Sequence, residues 1–302
     1  LDQPGSTIDV ALNGTLTNPR SPADPRIAQV AGREVTIEGN AVVTPGSGEI
    51  RVADLRANTA AGTASATALV ERWGEAVGAQ VVLDVPDLAR LPDLPVAGAA
   101  SVRTDLALEQ GGQVLRGEAT ADLRGLNSTD PALEPMLRDL AGDAVTLRLA
   151  ASSQDAARTV EVTELALDAP VGSLTGTATV REFGQDIAGN VDLTLPELSR
   201  LSAVAGTPLA GAAQIRADLS GGNRETLVRA DLTGGVTGLD TGTPAADALA
   251  GDRVDLSGLV TVGTDGSVDM PRLKIDGRHV ALTAAATSPR CESVSPSRLL
   301  WV

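Results

Sequence analysis

The sequence predicts an all-β protein: an elongated, curled antiparallel β-sheet with an apolar groove, built from long repeats with short helical turns between them. Three observations lead to this prediction. Apolar and polar residues alternate along most of the chain, as in strands that bury one face. Turn residues separate the alternating segments at short intervals, which favours antiparallel pairing of neighbouring strands. One long unit also recurs along the chain.

The repeat is clearest where Leu83 and Pro86 return as Leu193 and Pro196, at an offset of 193 − 83 = 110 residues. Extending the comparison at this offset predicts how the chain is organised. Residues 1–31 form the end of a preceding repeat and a linker, 32–141 repeat 1, 142–250 repeat 2, 251–287 a partial repeat 3, and 288–302 an irregular tail. Because the third repeat breaks off, we expect the sequence to be an internal fragment of a longer protein.

Each repeat is predicted to begin with a short helix or loop that is capped by a glycine, which is Gly32, Gly142 or Gly251. The strands follow, about six in each repeat and roughly fifteen in all. The alternation changes phase by one residue between Val52 and Leu55, and again at the matching places of the later repeats. Since one extra residue turns the following side chains to the other face, each slip predicts a β-bulge.

The composition excludes several functions. The net charge is 24 − 39 = −15 and aromatic residues make up 1% of the chain, so we expect no binding to nucleic acid. Cys291 is the only cysteine, which makes an internal disulfide impossible. No apolar run reaches the length of about 18 residues that would predict a transmembrane helix.

No group of residues predicts catalysis. His279 is the only histidine, so a zinc site built on histidines or on a cysteine pair lacks its ligands. Paired carboxylates are frequent, but they fall on outward strand positions, where their ordinary role is solubility. We therefore predict a protein that is not an enzyme and has no cofactor and no metal site.

The alternation also predicts which residues line the groove. Small and aliphatic side chains leave room where a packed core would use aromatic rings. The lipid-groove candidates are Val35, Ile37, Val102, Leu106, Leu108, Val145, Leu147, Leu149, Leu193, Leu195, Ile215 and Leu219. Trp73 and Phe183 each precede a turn glycine, and we expect each to fill the end of a hairpin, with lining of the groove as the alternative.

Several phrases of the sequence resemble a known family. A Val-Thr-Leu strand at 145–147 follows Ala-Gly-Asp at 141–143, a Leu-Pro-Glu-Leu turn lies at 195–198, and Leu-Ala-Gly-Ala-Ala-Gln-Ile-Arg-Ala-Asp-Leu-Ser-Gly spans 209–221. Together they resemble the repetitive middle region of TamB, the translocation and assembly module subunit, and of related AsmA-like proteins of diderm bacteria. The resemblance covers roughly residues 6–287.

The resemblance implies a function in outer-membrane biogenesis. Such proteins are anchored in the inner membrane and cross the periplasm as a curled β-sheet, the β-taco, whose groove conducts phospholipids toward the outer membrane. Phospholipid acyl chains are then the expected partner, and the expected localisation is periplasmic. Membrane contact, and contact with the outer-membrane barrel TamA, are expected through parts of the protein outside this sequence.

The residues alone leave other functions open. The main alternative is a structural or adhesive β-repeat stalk of a secreted or surface protein, in which the apolar faces close into a dry core. Coil-stacking solenoids repeat in about 20–30 residues, which is far shorter than the unit found here. A hydrolase, the third hypothesis, would need a pocket with a cluster of ionisable groups, and the sequence offers no such cluster.

Overall fold

The computed structural model describes residues 6–19, 30–91, 94–128, 130, 134–154, 158–222, 226–263 and 267–288. They form one antiparallel sheet of 16 strands, in which each strand pairs with its neighbours in chain order. The first and last strands do not pair with each other, so the sheet is not closed into a barrel. The predicted all-β, antiparallel class is confirmed.

The strands follow one another as a continuous meander. Their bounds are β1 Ile8–Thr17, β2 Glu34–Thr44, β3 Glu49–Asn58, β4 Thr63–Glu71, β5 Ala76–Val85, β6 Val96–Glu109, β7 Val114–Ser128, β8 Ala144–Gln154, β9 Thr159–Ala169, β10 Gly172–Arg181, β11 Asp186–Leu195, β12 Ala210–Gly221, β13 Thr226–Asp240, β14 Arg253–Gly263, β15 Val268–Asp276 and β16 Ala281–Ser288. Beyond Ser288, the predicted irregular tail lies outside the described residues.

In a meander, successive connections alternate between the two ends of the strands. One end, which we call the hairpin end, has tight turns such as residues 72–75 between β4 and β5. The other end, which we call the packed end, has a few tight turns, such as residues 170–171 between β9 and β10, together with longer connections that contain helices. These are the α-helices Glu134–Ala141, Ser202–Ala205 and Pro244–Ala250 and the 3-10 turns Leu88–Arg90 and Leu198–Leu201. Two further 3-10 turns, Gln110–Gly112 and Glu182–Gly184, lie at the hairpin end.

Two of the three predicted helices are confirmed. Gly142 and Gly251 end them with positive φ angles of 53° and 74°, and the Gly251 N–H donates to the carbonyl of Asp247 at 2.9 Å. Glycine suits this place because it has no Cβ to clash in the left-handed region. The helical turns predicted before Gly32 fall mainly outside the described residues.

The predicted bulges are confirmed at all three places. Ala53 is the extra residue in β3, since the pairing between β2 and β3 shifts there, and Thr163 is the extra residue in β9. In β15 the register shifts between Met270 and Leu273, where Pro271 lies. A bulge tolerates proline because the extra residue does not donate to the ladder. Because of the extra residue, the apolar residues before and after each bulge in the chain lie on the same face of the sheet.

The buried side chains collect at the packed end. Ten apolar side chains are buried among the described residues: Ala31, Val35, Ala61, Val85, Ala141, Ala166, Leu198, Ala213, Ala250 and Val254. Eight of them lie in the packed-end connections or at the strand ends next to them, and Ala166 and Ala213 lie three residues further into β9 and β12. The chain exposes 19188 Å², whereas a compact monomer of this mass exposes about 12,000 Å². The sheet is therefore a single layer whose core is confined to one end.

Candidate functional site

The register assigns each strand residue to one face of the sheet. Cross-strand partners in an antiparallel sheet lie on the same face, and successive residues alternate between faces. Leu147 pairs with Ala121 on one side and with Leu167 on the other. Following such partners from Leu147 across all the strands defines one face of the sheet. We call it the apolar face. The opposite face, which carries Arg148, is called the charged face.

All twelve lipid-groove candidates lie on the apolar face, in β2, β6, β8, β11 and β12. Along the regular register of the described strands, this face carries no Asp, Glu, Lys, Arg or His. Its few hydroxyl side chains include Thr104 and Ser153. The apolar face therefore continues without a charge from β1 to β16.

The described part of the chain leaves the apolar face largely uncovered. Leu12 and Leu147 expose 52% and 37% of their surface, and of the twelve candidates only Val35 is buried. No side chain among the described residues is fully buried. Contiguous exposed apolar surface of this extent marks a binding surface in a folded protein, because water alone is a poor partner for it.

The charged face carries ion pairs that water screens. Arg216 lies 3.6 Å from Asp192 and 3.2 Å from Asp218, and Arg148 lies 3.8 Å from Asp168. All of these side chains are about half exposed, so each pair contributes about 0–1 kcal/mol. The charged face thus solvates one side of the sheet and adds little to its stability.

Two depressions of the surface include lipid-groove candidates in their lining, Leu106 in one and Leu193 with Ile215 in another. One of about 630 Å³ crosses β3 to β7, and its lining includes Arg51, Gln80 and Asp105 of the charged face. The amide nitrogen of Gln80 donates to the Asp105 carboxylate at 2.6 Å. Residues of both faces line this depression, since Val52 and Leu106 belong to the apolar face.

No family model, no curated protein and no solved structure matches this chain. The resemblance to TamB and AsmA-like proteins therefore stays an expectation from the sequence.

The expectation that Trp73 fills the end of its hairpin is wrong. Trp73 is 66% exposed and has a φ of 59°, in the left-handed region. Its N–H donates to the carbonyl of Gly48 at 2.9 Å, and its indole lies so close to Gly48 that a Cβ there would overlap it. The indole thus rests on the neighbouring turn between β2 and β3. The side chain of Phe183 lies outside the described structure.

The other polar groups that the structure describes form no metal site. His279 is exposed in the turn between β15 and β16, and its backbone N–H donates to Leu249 at 2.9 Å. The described residues contain no cluster of His, Cys, Asp and Glu able to hold a metal ion. Nor does the described part include a helix long and apolar enough to span a membrane. What the arrangement can do chemically is bind apolar groups.

Proposed function

We propose that this chain is a non-enzymatic, periplasm-spanning segment whose curled sheet shields phospholipid acyl chains in an apolar groove. In this role it supports lipid transport from the inner to the outer membrane and the assembly of outer-membrane proteins. The observation that supports the proposal is the apolar face, which is uncharged across all the described strands and largely uncovered. The lipid assignment itself comes from the family resemblance.

The energetics favour an acyl chain on this face. Each CH₂ group that leaves water contributes about 0.8 kcal/mol, so the affinity grows with the length of chain in contact. A face without charges loses no hydration of ions when the lipid covers it. The lipid headgroup stays in water, and its recognition is not required.

The repeats belong to the same proposal, and packed-end contacts support them. A Cβ on Gly32 would overlap Ala60, and a Cβ on Gly142 would overlap Pro170. The two contacts are separated by the repeat length. Gly142 follows Gly32 by 142 − 32 = 110 residues, and Pro170 follows Ala60 by 170 − 60 = 110 residues. Equivalent close approaches at this spacing are expected if the two segments are copies of one structural unit.

The alternative is the structural or adhesive stalk with a dry core. It requires a second layer on the apolar face, because side chains in a dry core are close-packed on all sides. The half-exposed state of Leu147 and Leu149 does not fit such packing within one chain. The stalk remains the function to which a negative lipid result would point.

Lipid binding by the purified protein tests the proposal. Delipidated protein is incubated with phosphatidylcholine and phosphatidylethanolamine vesicles, purified again and analysed by mass spectrometry. We expect intact phospholipids to co-purify with the protein. Glycerophosphocholine, which has the headgroup but no acyl chain, serves as the control and should not be retained. A protein free of lipid after the incubation would contradict the proposal.

A further inference from the structure

The first strand of the sheet has one edge without a partner in the described chain. β1 pairs with β2 alone among the described strands, and nine of its ten residues are exposed. The N–H of Asn18 donates to the carbonyl of Arg33 at 2.7 Å, which shows which residues point toward β2. Backbone groups of successive residues in an antiparallel strand point to opposite sides. The N–H and C=O groups that point away from β2 are therefore those of Asp9, Ala11, Asn13, Thr15 and Thr17.

Two inner strands show what such an edge holds elsewhere in the sheet. Asn18, Gly125 and Gly238 all have left-handed φ angles, of 49°, 58° and 62°. The N–H of each donates to the carbonyl of the residue after a packed-end glycine, at 2.7, 3.0 and 2.9 Å. These matching contacts make β1, β7 and β13 equivalent strands. In β7 and β13, the edge that corresponds to the free edge of β1 pairs with β6 and with β12.

A glycine of β1 leaves room for a strand at this edge. Gly14 and Gly234 are equivalent, because each lies four residues before the left-handed residue of its strand. A Cβ on Gly234 would overlap the backbone of β12 at Gln214 and Ile215. A Cβ on Gly14 would meet no atom of the described chain within 4 Å. The space that β12 fills beside β13 is therefore empty beside β1.

The side chains of β1 fit a strand with the pattern of β12. Applying the register between β12 and β13 to β1 brings large side chains opposite small ones, with Leu12 opposite Ala217 and Gly14 opposite Ile215. Asp9, the only charged residue of β1, comes opposite Ser220, so no like charges face each other. Cross-strand pairs of this kind stabilise a sheet, whereas like charges directly opposite destabilise it.

We infer that the free edge of β1 is a docking site for one antiparallel strand with the sequence pattern of β12, supplied by a further repeat unit of the same kind. Its backbone bonds to the outward N–H and C=O groups of β1 supply affinity, and its alternate side chains supply specificity. The docked strand also extends the apolar face by one strand. This inference goes beyond the proposed function, because it concerns the edge of the sheet and not what covers its face.

A synthetic peptide of residues 209–222, which contains the β12 sequence, tests the docking site. Binding of the fluorescently labelled peptide to the full chain is measured by anisotropy, and hydrogen exchange reports which strand it covers. We expect the peptide to bind and to slow the exchange of the outward amides of β1, while the amides of β16 stay unchanged. A peptide of the same composition in scrambled order should not bind.

Two variants of β1 make the test specific. Ala11→Pro removes one outward donor, and an edge strand tolerates proline where the N–H faces solvent. Gly14→Val fills the space opposite Ile215 without meeting any described atom. Each variant should melt like the parent and bind the peptide about tenfold more weakly or worse. The matched control Thr283→Pro removes an outward donor from β16, at the other edge of the sheet, and should bind like the parent.

Failure of the peptide to bind the parent protein, or equal binding by the parent, Ala11→Pro and Gly14→Val, would overturn the site. Loss of binding in Thr283→Pro alone would place the peptide on β16 and overturn it as well. Sedimentation velocity without peptide identifies the remaining occupant. A parent dimer that becomes a monomer with Gly14→Val would show that a second copy covers this edge, which would overturn the assignment of the partner.

Discussion

At the scale of single residues, glycines set how closely the backbone segments approach. At Gly172, the first residue of β10, an added Cβ would overlap the carbonyl oxygen of Thr194 in β11. Gly62 has the same relation to Asp84. In contrast, a Cβ on Gly78 would meet no atom within 4 Å. Glycine is therefore required by contact at some positions of the sheet and not at others.

The substitution Gly172→Ala should destabilise the sheet by about 1–3 kcal/mol, because the backbone has to move to admit the methyl group. The matched control Gly78→Ala adds the same methyl group in open space and should be neutral or slightly stabilising. Urea titration followed by circular dichroism gives the midpoint of each variant. Equal midpoints for the two variants would contradict the close approach at Gly172.

The sequence predicts the face of each strand residue better than its burial. Leu147 and Leu193 were placed on the apolar face by alternation, and the register agrees. Trp73 shows the limit of this reasoning, since a large aromatic residue beside a turn glycine is expected to be buried, yet it is exposed on the neighbouring turn. The neighbouring turn comes from a different hairpin, so no local pattern reports its position.

At the scale of elements, the bulges keep the apolar face continuous. Deleting Ala53 should move either Ile50 and Val52 or Leu55 and Ala57 to the charged face, because the side chains of a strand alternate. We expect a loss of more than about 2 kcal/mol, as at least two apolar side chains exchange their neighbours for water. Ala53→Ser keeps the length of the strand and should change the melting temperature little. A deletion variant as stable as Ala53→Ser would show that the bulge does not set the phase.

Asp247 stabilises the connection before β14. The backbone N–H and the hydroxyl of Thr241 both donate to its Oδ1 at 2.8 Å, and these bonds lower the pKa of Asp247 below its ordinary value of 3.8. A carboxyl whose pKa is lowered on folding stabilises the fold above its unfolded pKa, and this contribution disappears as the pH falls through the native pKa.

We therefore expect Asp247→Asn to speed hydrogen exchange in helix Pro244–Ala250 at neutral pH, relative to the unchanged protein. The difference should shrink only as the pH falls through the lowered pKa of the native carboxyl, where that carboxyl also becomes neutral. Thr241→Val removes one of the two donors and should show a smaller effect in the same direction. A difference that stays the same at pH 7 and below the pH at which the native carboxyl is protonated would contradict this role.

Local patterns predict the elements but not the packed end. The phase slip beside Val52 and the glycine at position 251 are signals within a few residues, and both predictions are confirmed. The contact between helix Glu134–Ala141 and the turn Leu198–Leu201 joins segments far apart in the chain. Such a contact depends on the strand order and on the lengths of several connections. Alternation alone therefore missed that one end of the apolar face is closed.

At the scale of the whole molecule, the described residues form no second layer of the kind that ordinary domains use to bury an apolar face. The charged face is solvated, the buried side chains collect at the packed end, and the rest of the apolar face is largely exposed. The central claim is that this partner is an acyl chain and that the face is a binding surface rather than half of a packed core. A carboxylate distinguishes the two, because a dry core cannot hydrate it.

The most direct measurement compares bound phospholipid and melting temperature in Leu147→Asp, Leu193→Asp and the control Thr120→Asp. Thr120 lies on the charged face between its register partners Arg103 and Arg148, so it receives the same charge on the opposite side of the sheet. We predict that both leucine variants lose most of their bound lipid and melt within a few degrees of the parent, while the control keeps both properties. Unfolding of both leucine variants would indicate a dry core, and unchanged lipid binding would remove the apolar face as the lipid site.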